Sequence, residues 1–133
     1  MTQDQLPMVA LASMNDTHLE EMLLINQLET LAQEAKLEEI PKALQELLEH
    51  TKIHFSNEEK MMSETNFPVF PAHKAEHDRH LHELESVINY FEKHQEPSAI
   101  TAYIQGTLAP WLINHVQTMD TITAMHLQKN NMV

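Results

Sequence analysis

The sequence predicts an all-α fold, an antiparallel up-down-up-down four-helix bundle formed by one domain over residues 1–133, with residues 1–14 as an N-terminal arm. Three observations predict this fold. The chain has a single glycine, Gly106, which leaves few of the tight turns that a β-sheet needs. Its hydrophobic content of 42% comes mainly from Leu, Met, Ala and Ile and recurs with helical periodicity. Short connections between the long helical segments favour antiparallel neighbours.

Four helical segments follow from this periodicity and from the residues that begin and end helices. They run from Asn15 or Asp16 to Lys36, from Pro41 to Ser63, from Pro71 to His94 and from Pro97 to Gln128. Asn and Asp are good N-cap residues, and proline suits the first turn of a helix, where no N–H is needed. Residues 64–70 are predicted to form a loop. Pro110, with Gly106 nearby, predicts a kink or a weakened turn inside the last helix.

Charge and composition exclude several classes of function. The formal net charge of −12 argues against nucleic acid or an anionic membrane surface as a partner, since both require a basic patch. No apolar stretch approaches the ~20 residues that cross a bilayer, and residues 1–7 lack the basic-then-apolar order of a secretion signal. Without cysteine there is no disulfide, thiolate zinc site or iron–sulfur cluster. We expect a cytoplasmic protein that is a monomer or a weak oligomer.

The apolar stripe of each predicted helix becomes polar in one part. The chain contains ten histidines, which is a first indication of metal binding, and several of them lie on these stripes. The stripes are Met14, His18, Glu21, Ile25, Leu28 and Ala32; Ile40, Leu44, Leu47, Thr51, His54, Glu58 and Met61; His73, His77, Leu81, Leu84, Ile88 and Phe91; and Ile104, Leu108, Trp111 and His115, with Asp120 five residues further on. Antiparallel packing can bring the polar parts to one level.

These polar residues have the composition of a metal site. His54 and Glu58 are four residues apart, so they project from one face of a helix. Asp120 is five residues from His115, roughly 140° round an α-helix, and is therefore expected to approach from the flank. Burying such groups without compensation costs several kcal/mol per charge, which bound cations would offset. Five imidazoles and two carboxylates are too many for one tetrahedral zinc ion but suit two six-coordinate ions, and this mixture of ligands suits iron.

The ordered series H, HxxxE, HxxxH and HxxxxD resembles the hemerythrin family, in particular its stand-alone bacterial members and the related HHE-type diiron domains. The resemblance extends from about Met14 to His126. It rests on His18 in the first helix, on HFSNEEKMM from His54, on FPVFPAHKAEH with its two histidines, and on WLINHVQTMD. Members of this family have up-down bundle topology, in agreement with the fold predicted from the residues.

This resemblance implies a ligand set. His73, His77 and His115 would hold one iron ion, and His18 and His54 the other. Glu58 and Asp120 would bridge the two ions, together with an oxo or hydroxo group. The two-His iron would keep a vacancy for dioxygen or another small diatomic ligand. Family members have an apolar wall beside that vacancy, and the matching residues here are Phe55, Trp111, Leu112 and Val116.

The function that the resemblance implies is reversible dioxygen binding by an oxygen carrier, store or sensor. A diiron enzyme that reduces peroxide, nitric oxide or O2 at the same vacancy, with a redox partner, is the alternative. An iron reservoir is a third possibility, and it would require many more metal ions per chain than two. The ExxH motif of ferritin-like diiron proteins and the HExxH motif of zinc proteases are both absent.

The sequence departs from the family pattern at two places. The N-terminal arm lacks the tryptophan that hemerythrins commonly place before the first helix. Glu21 lies one turn after His18, where a large aliphatic residue is usual. Either Glu21 turns to solvent while Met22 fills the pocket, or Glu21 enters the pocket as a proton donor or a further ligand. The remaining histidines are expected at the surface or behind the ligands, and they are His50, His80, His82, His94 and His126.

Overall fold

Long helices account for most of the chain in the computed structural model, which describes residues 1–132. Helices α1 (Ala12–Gln33), α2 (Ile40–Glu64) and α3 (Phe70–His94) are followed by α4 (Pro97–Tyr103), α5 (Ala109–His115) and α6 (Thr121–Lys129). The last three are joined end to end by two π-helical segments, Ile104–Leu108 and Val116–Asp120, and form one column. The described residues contain no β-strand.

The four columns form the predicted antiparallel bundle. Helix α1 packs against α2 and α4, and α3 packs against α2 and α4, so each column contacts its two neighbours. The columns are joined by short connections, and residues with left-handed backbone follow the first three: Ala35, Asn66 and Gln95, with φ of 53°, 52° and 52°. A left-handed residue ends a helix because it turns the chain out of the helical path. The prediction of an all-α four-helix bundle is confirmed.

The start of α1 differs from the prediction. The helix begins at Ala12 rather than at Asn15 or Asp16, and it ends at Gln33 rather than at Lys36. Asn15 does not cap the helix, because its side chain bonds the N-terminal arm instead. The Val9 backbone N–H donates to Asn15 Oδ1 at 2.8 Å, and Asn15 Nδ2 donates to the Val9 carbonyl at 2.9 Å. The sequence identified Asn15 as a polar residue near the start of α1, but its hydrogen-bond partner is Val9, which lies before the helix.

The fourth column is interrupted near the predicted kink. A π-helical segment, Ile104–Leu108, precedes Pro110 and contains Gly106. A wider turn next to a proline accommodates the missing N–H of its ring. A Cβ atom added at Gly106 would meet nothing within 4 Å, so packing does not require glycine there.

The interior consists of a large apolar cluster and a small one, with a polar layer between them along α1. The large cluster includes Ile25, Leu28 and Leu44, and the small one is formed by Leu11, Met14, Ala124 and Leu127. Three stripe positions were wrong by one residue. Met62, His80 and Leu112 are buried, whereas Met61, Leu81 and Trp111 are partly exposed. An alternating three-and-four spacing cannot distinguish two adjacent positions near the edge of a helix face.

None of the described helices is both long enough and apolar enough to cross a bilayer.

Candidate metal centre

The structure brings all seven predicted ligands into the interior, between the two apolar clusters. Each is at most 5% exposed, although all are polar or charged. They come from all four columns of the bundle. They are His18 on α1; His54 and Glu58 on α2; His73 and His77 on α3; and His115 and Asp120 on the fourth column.

The seven side chains form two groups that share one residue. The three-His group contains His73, His77, His115 and Asp120, and the two-His group contains His18, His54, Glu58 and Asp120. Within each group, one ligand atom per residue lies within 4.8 Å of all the others. This spacing is what side chains around a single ion require, because atoms on opposite sides of a metal are about twice a bond length apart.

Asp120 directs its two oxygens to different groups. Its Oδ1 lies 3.1 Å from His73 Nε2 and 3.2 Å from His115 Nε2, both in the three-His group. Its Oδ2 lies 3.1 Å from His18 Nε2, in the two-His group. The carboxylate is therefore placed between two positions, as a bridging ligand would be.

Glu58 is divided between the groups in the same way. Its Oε2 lies 2.5 Å from His54 Nε2, and its Oε1 lies 3.4 Å from His77 Nε2 and 3.6 Å from His73 Nε2. Two carboxylates that each face both groups are the arrangement expected for a pair of adjacent ions rather than for two separate sites.

A π-helical segment, Val116–Asp120, determines where Asp120 points. An α-helix would have placed Asp120 on the flank of the site, about 140° from His115. That expectation was wrong, because a π-turn spans i to i+5 and returns Asp120 to the face that carries His115. The five-residue spacing thus has the same effect here as the four-residue spacing of His54 and Glu58 on α2.

Several ligand atoms have no hydrogen-bond partner among the described residues. They are His18 Nε2, His77 Nε2, Glu58 Oε1 and both carboxylate oxygens of Asp120. A buried polar atom without a partner costs roughly 1–3 kcal/mol, and more when it is charged. The atoms are close together, yet they converge on common points instead of forming aligned hydrogen bonds. Five imidazole nitrogens and four carboxylate oxygens arranged in this way fit two metal ions, which would satisfy these atoms.

Hydrogen bonds on the far side of three rings orient them. His73 Nδ1 lies 2.8 Å from the Thr123 hydroxyl, His77 Nδ1 lies 2.9 Å from Glu59 Oε2, and His54 Nδ1 lies 3.3 Å from Glu21 Oε1. In each ring Nε2 then faces the site. The roles of Thr123 and Glu59 were missed. Thr123 could have been noticed as a threonine on the core face of α6. Nothing in the sequence distinguishes Glu59, which directly follows Glu58 on a helix rich in acidic residues.

The carboxylates already attract positive charge. Burial lowers the pKa of His54, but the neighbouring carboxylates of Glu21 and Glu58 outweigh burial and raise this pKa well above its ordinary value. Burial raises the pKa of Asp120, but the imidazoles of His115 and His18 outweigh it and hold this pKa well below its usual range. A metal ion that binds here would replace such a proton, so binding is expected to release protons.

Aromatic rings pack against the three-His group. Phe55 stacks on His77 with ring centres 3.8 Å apart and planes at 4°. Trp111 stacks on His115 at 4.6 Å and on His80 at 3.9 Å. Trp111 is only partly buried, and its indole N–H donates to Glu76 Oε1 at 2.7 Å, so it lies at the edge of the bundle rather than in the core.

The other predicted wall residues belong to the large apolar cluster. Leu112 is 1% exposed, Val116 is 0% exposed and Met22 is 5% exposed. All three side chains are thus apolar and buried in the main core, and their role as a wall beside the metal positions stays a prediction.

Glu21 is buried at 4% exposure, so the alternative in which it turns to solvent was wrong. It accepts a hydrogen bond from the Thr51 hydroxyl at 3.1 Å, in addition to its contact with His54 Nδ1. Burial raises the pKa of Glu21, but the charge of His54, its hydrogen bond and the nearby His50 outweigh burial and lower it strongly. The Glu21 carboxylate therefore lies behind His54, a predicted ligand, beside the ring nitrogen Nδ1 that faces away from the site.

The five histidines outside the predicted ligand set differ in burial. His80 is 3% exposed, which the sequence did not predict, and burial is the main cause that lowers its pKa to about 4. His50 is partly exposed and lies between Glu20 and Glu21. His82 and His94 are exposed, and His126 is partly buried with Nε2 3.1 Å from the Thr65 carbonyl oxygen.

The fold and these two ligand groups define a four-helix metalloprotein with a dinuclear histidine–carboxylate centre. The family model described as Hemerythrin HHE cation binding domain matches residues 9–127. The chain belongs to the hemerythrin family of diiron oxygen-binding proteins, as the resemblance indicated. The predicted cofactor, two iron ions, is confirmed by this family assignment together with the two ligand groups.

Individual relatives agree with the family assignment. The chain is 33% identical over 114 residues to the bacteriohemerythrin of Aquifex aeolicus (strain VF5), covering 86% of this chain and 87% of the relative. It is 29% identical over 110 residues to the bacteriohemerythrin of Methylococcus capsulatus (strain Bath), covering 81% of each. A crystal structure of a hemerythrin point mutant superposes with a TM-score of 0.81 at 23% identity, covering 96% of this chain and 95% of that one, and supports the fold.

Proposed function

We propose that this protein binds dioxygen reversibly as an oxygen carrier or store, at a diiron centre held by its own side chains. The ligands we propose are His73, His77 and His115 for one iron, His18 and His54 for the other, and Glu58 and Asp120 for both. When bound, the iron pair supplies the two electrons and the open coordination position that dioxygen binding requires.

The observation that carries this proposal is the unequal number of donors in the two groups. Three imidazoles face one position and two face the other, while each carboxylate directs one oxygen to either side. The three-His position therefore has five protein donors and the two-His position has four. The position with fewer protein donors keeps more room for a small exogenous ligand.

The side chains around the site limit the access of water. Phe55 and Leu112 are at most 2% exposed, and Val116 is fully buried. With iron bound, these side chains would keep bulk water from the open coordination position, and reversible binding would depend on this exclusion.

A diiron enzyme that reduces peroxide, nitric oxide or O2 is the second candidate, and one observation favours it. Glu21 is a buried carboxylate beside His54, and His50 lies 3.6 Å from it and 3.2 Å from the exposed Glu20. This chain of polar groups leads from the surface to a proposed ligand. Reductive chemistry consumes protons, so such a chain would serve an enzyme better than a carrier.

Iron analysis combined with visible spectroscopy discriminates between the candidates. For a carrier we expect two iron ions per chain, a visible absorption band that develops after reduction and exposure to air, and loss of that band when oxygen is removed. Rapid turnover of peroxide or nitric oxide with a reductant, without a stable oxygenated form, would favour the enzyme. Many more than two iron ions per chain would indicate a reservoir. The variant His82→Gln, at an exposed histidine outside the site, should match the wild type in all of these measurements.

Three further features remain predictions from the sequence. They are a location in the cytoplasm, a monomeric or weakly oligomeric state, and a redox partner that would restore the ferrous form.

A further inference from the structure

Glu21 is a buried acid that the proposed ligand set does not use. It lies on α1 one turn after His18, and it is 4% exposed. Its Oε1 accepts from the Thr51 hydroxyl at 3.1 Å and lies 3.3 Å from His54 Nδ1. Both partners lie on α2, so this carboxylate joins the two helices that carry the two histidines of the two-His group.

We infer that Glu21 is a positioning residue for His54 and that it sets the affinity and the potential of the two-His iron, an inference that rests on the proposed function. A carboxylate can only accept at Nδ1, so it places the ring proton there and leaves the Nε2 lone pair free for a metal ion. His54 Nε2 faces Glu58 Oε2 at 2.5 Å, which is the side of the two-His group.

The effect of Glu21 falls on one ion more than on the other. In the two-His group, His18 Nδ1 has no hydrogen-bond partner among the described residues. His54 is therefore the histidine of that group whose Nδ1 is hydrogen-bonded. In the three-His group, His73 is supported by Thr123 and His77 by Glu59. Loss of Glu21 would leave those two contacts in place.

The neighbours of Glu21 fix its position as well as its charge. The Thr51 hydroxyl lies between Glu21 Oε1 and the Leu47 carbonyl, which is 2.7 Å away. His50 Nδ1 lies 3.6 Å from the same carboxylate oxygen. A carboxylate held in this way adds negative charge behind a ligand, and it therefore stabilises ferric relative to ferrous iron.

Two substitutions separate position from charge. Glu21→Gln keeps an oxygen that accepts from His54 Nδ1 but removes the charge, and Glu21→Leu removes both. Both variants should raise the midpoint potential of the diiron centre. When the holoprotein is challenged with a chelator, Glu21→Leu should lose one of its two iron ions about ten- to a hundredfold more readily than the wild type, and Glu21→Gln should be intermediate.

Glu49→Gln is the matched control. Glu49 is an exposed carboxylate on α2 that belongs neither to the proposed ligands nor to the polar chain through His50, so iron retention and potential should stay at wild-type values. Unchanged potential and unchanged iron retention in both Glu21 variants would overturn the inference. If Glu21→Leu fails to fold, the midpoint potential of Glu21→Gln decides, because a merely structural role would not move it. A wild-type protein that binds no iron pair would instead refute the proposed function itself, so the two failures are distinguishable.

Discussion

Substitution of His80 should make the protein less sensitive to acid. This side chain is 3% exposed, its ring stacks on Trp111 at 3.9 Å, and its Nδ1 has no hydrogen-bond partner among the described residues. Burial is the main cause that lowers the pKa of His80 from 6.5 to about 4, with smaller contributions from the charges of His115 and Arg79. The folded protein therefore keeps this histidine neutral at a pH where the unfolded chain protonates it.

The size of the effect follows from the two pKa values. Above pH 6.5 both states hold His80 neutral, and its full contribution to stability is present. As the pH falls from 6.5 toward about 4, the unfolded state takes up a proton that the folded state does not, so stability falls. At ~1.36 kcal/mol per pH unit, the loss amounts to about 3 kcal/mol across that interval.

Urea unfolding at several pH values between 6.5 and 4 measures this loss. His80→Gln removes the titrating ring, and His82→Gln removes an exposed histidine two residues further along α3. Acid also releases iron, so the iron content is measured at each pH, and the slope of stability against pH is compared between samples of equal iron content. We expect a shallower slope for His80→Gln than for the wild type and the control. Parallel slopes in all three proteins would refute the assignment of a depressed pKa to His80.

Other substitutions test the site and the core. Asp120→Asn should lower the retention of both iron ions, because this carboxylate faces both groups. His18→Ala should lower mainly the retention of the two-His iron. Iron analysis after gel filtration distinguishes the two results, and equal iron losses in the two variants would contradict this expectation. Thr123→Val removes the partner of His73 Nδ1 and should weaken iron binding ten- to a hundredfold in chelator competition. Leu28→Ala, at a fully buried position, should lower the free energy of unfolding by about 2–5 kcal/mol, and a loss below ~1 kcal/mol would contradict the packing described.

The cluster of buried polar residues could be predicted because these residues break an apolar pattern. His18, His54 and His77 occupy stripe positions where a core residue would otherwise lie, and only bound cations make several such residues tolerable in an interior. The bundle topology followed from helix lengths and short connections, which are local properties of the sequence. Both kinds of inference rely on spacing along one chain.

Features that depend on backbone irregularity or on another helix could not be predicted. The π-helical segment, Val116–Asp120, changes the direction of Asp120, and helical periodicity assumes regular α-helix. The burial of His80 depends on the position of Trp111 on the neighbouring column. The contact between Glu21 and His54 Nδ1 could not be predicted either. The sequence placed Glu21 on the core face of its helix but did not indicate which atom the carboxylate would contact.

The location of the irons tests the central claim most directly. Anomalous diffraction at the iron absorption edge, from crystals of the iron-loaded protein, should show two peaks per chain. One peak should lie within bonding distance of His73, His77 and His115, the other within bonding distance of His18 and His54, and the oxygens of Glu58 and Asp120 should contact both. A single peak, or iron bound away from these side chains, would contradict the account.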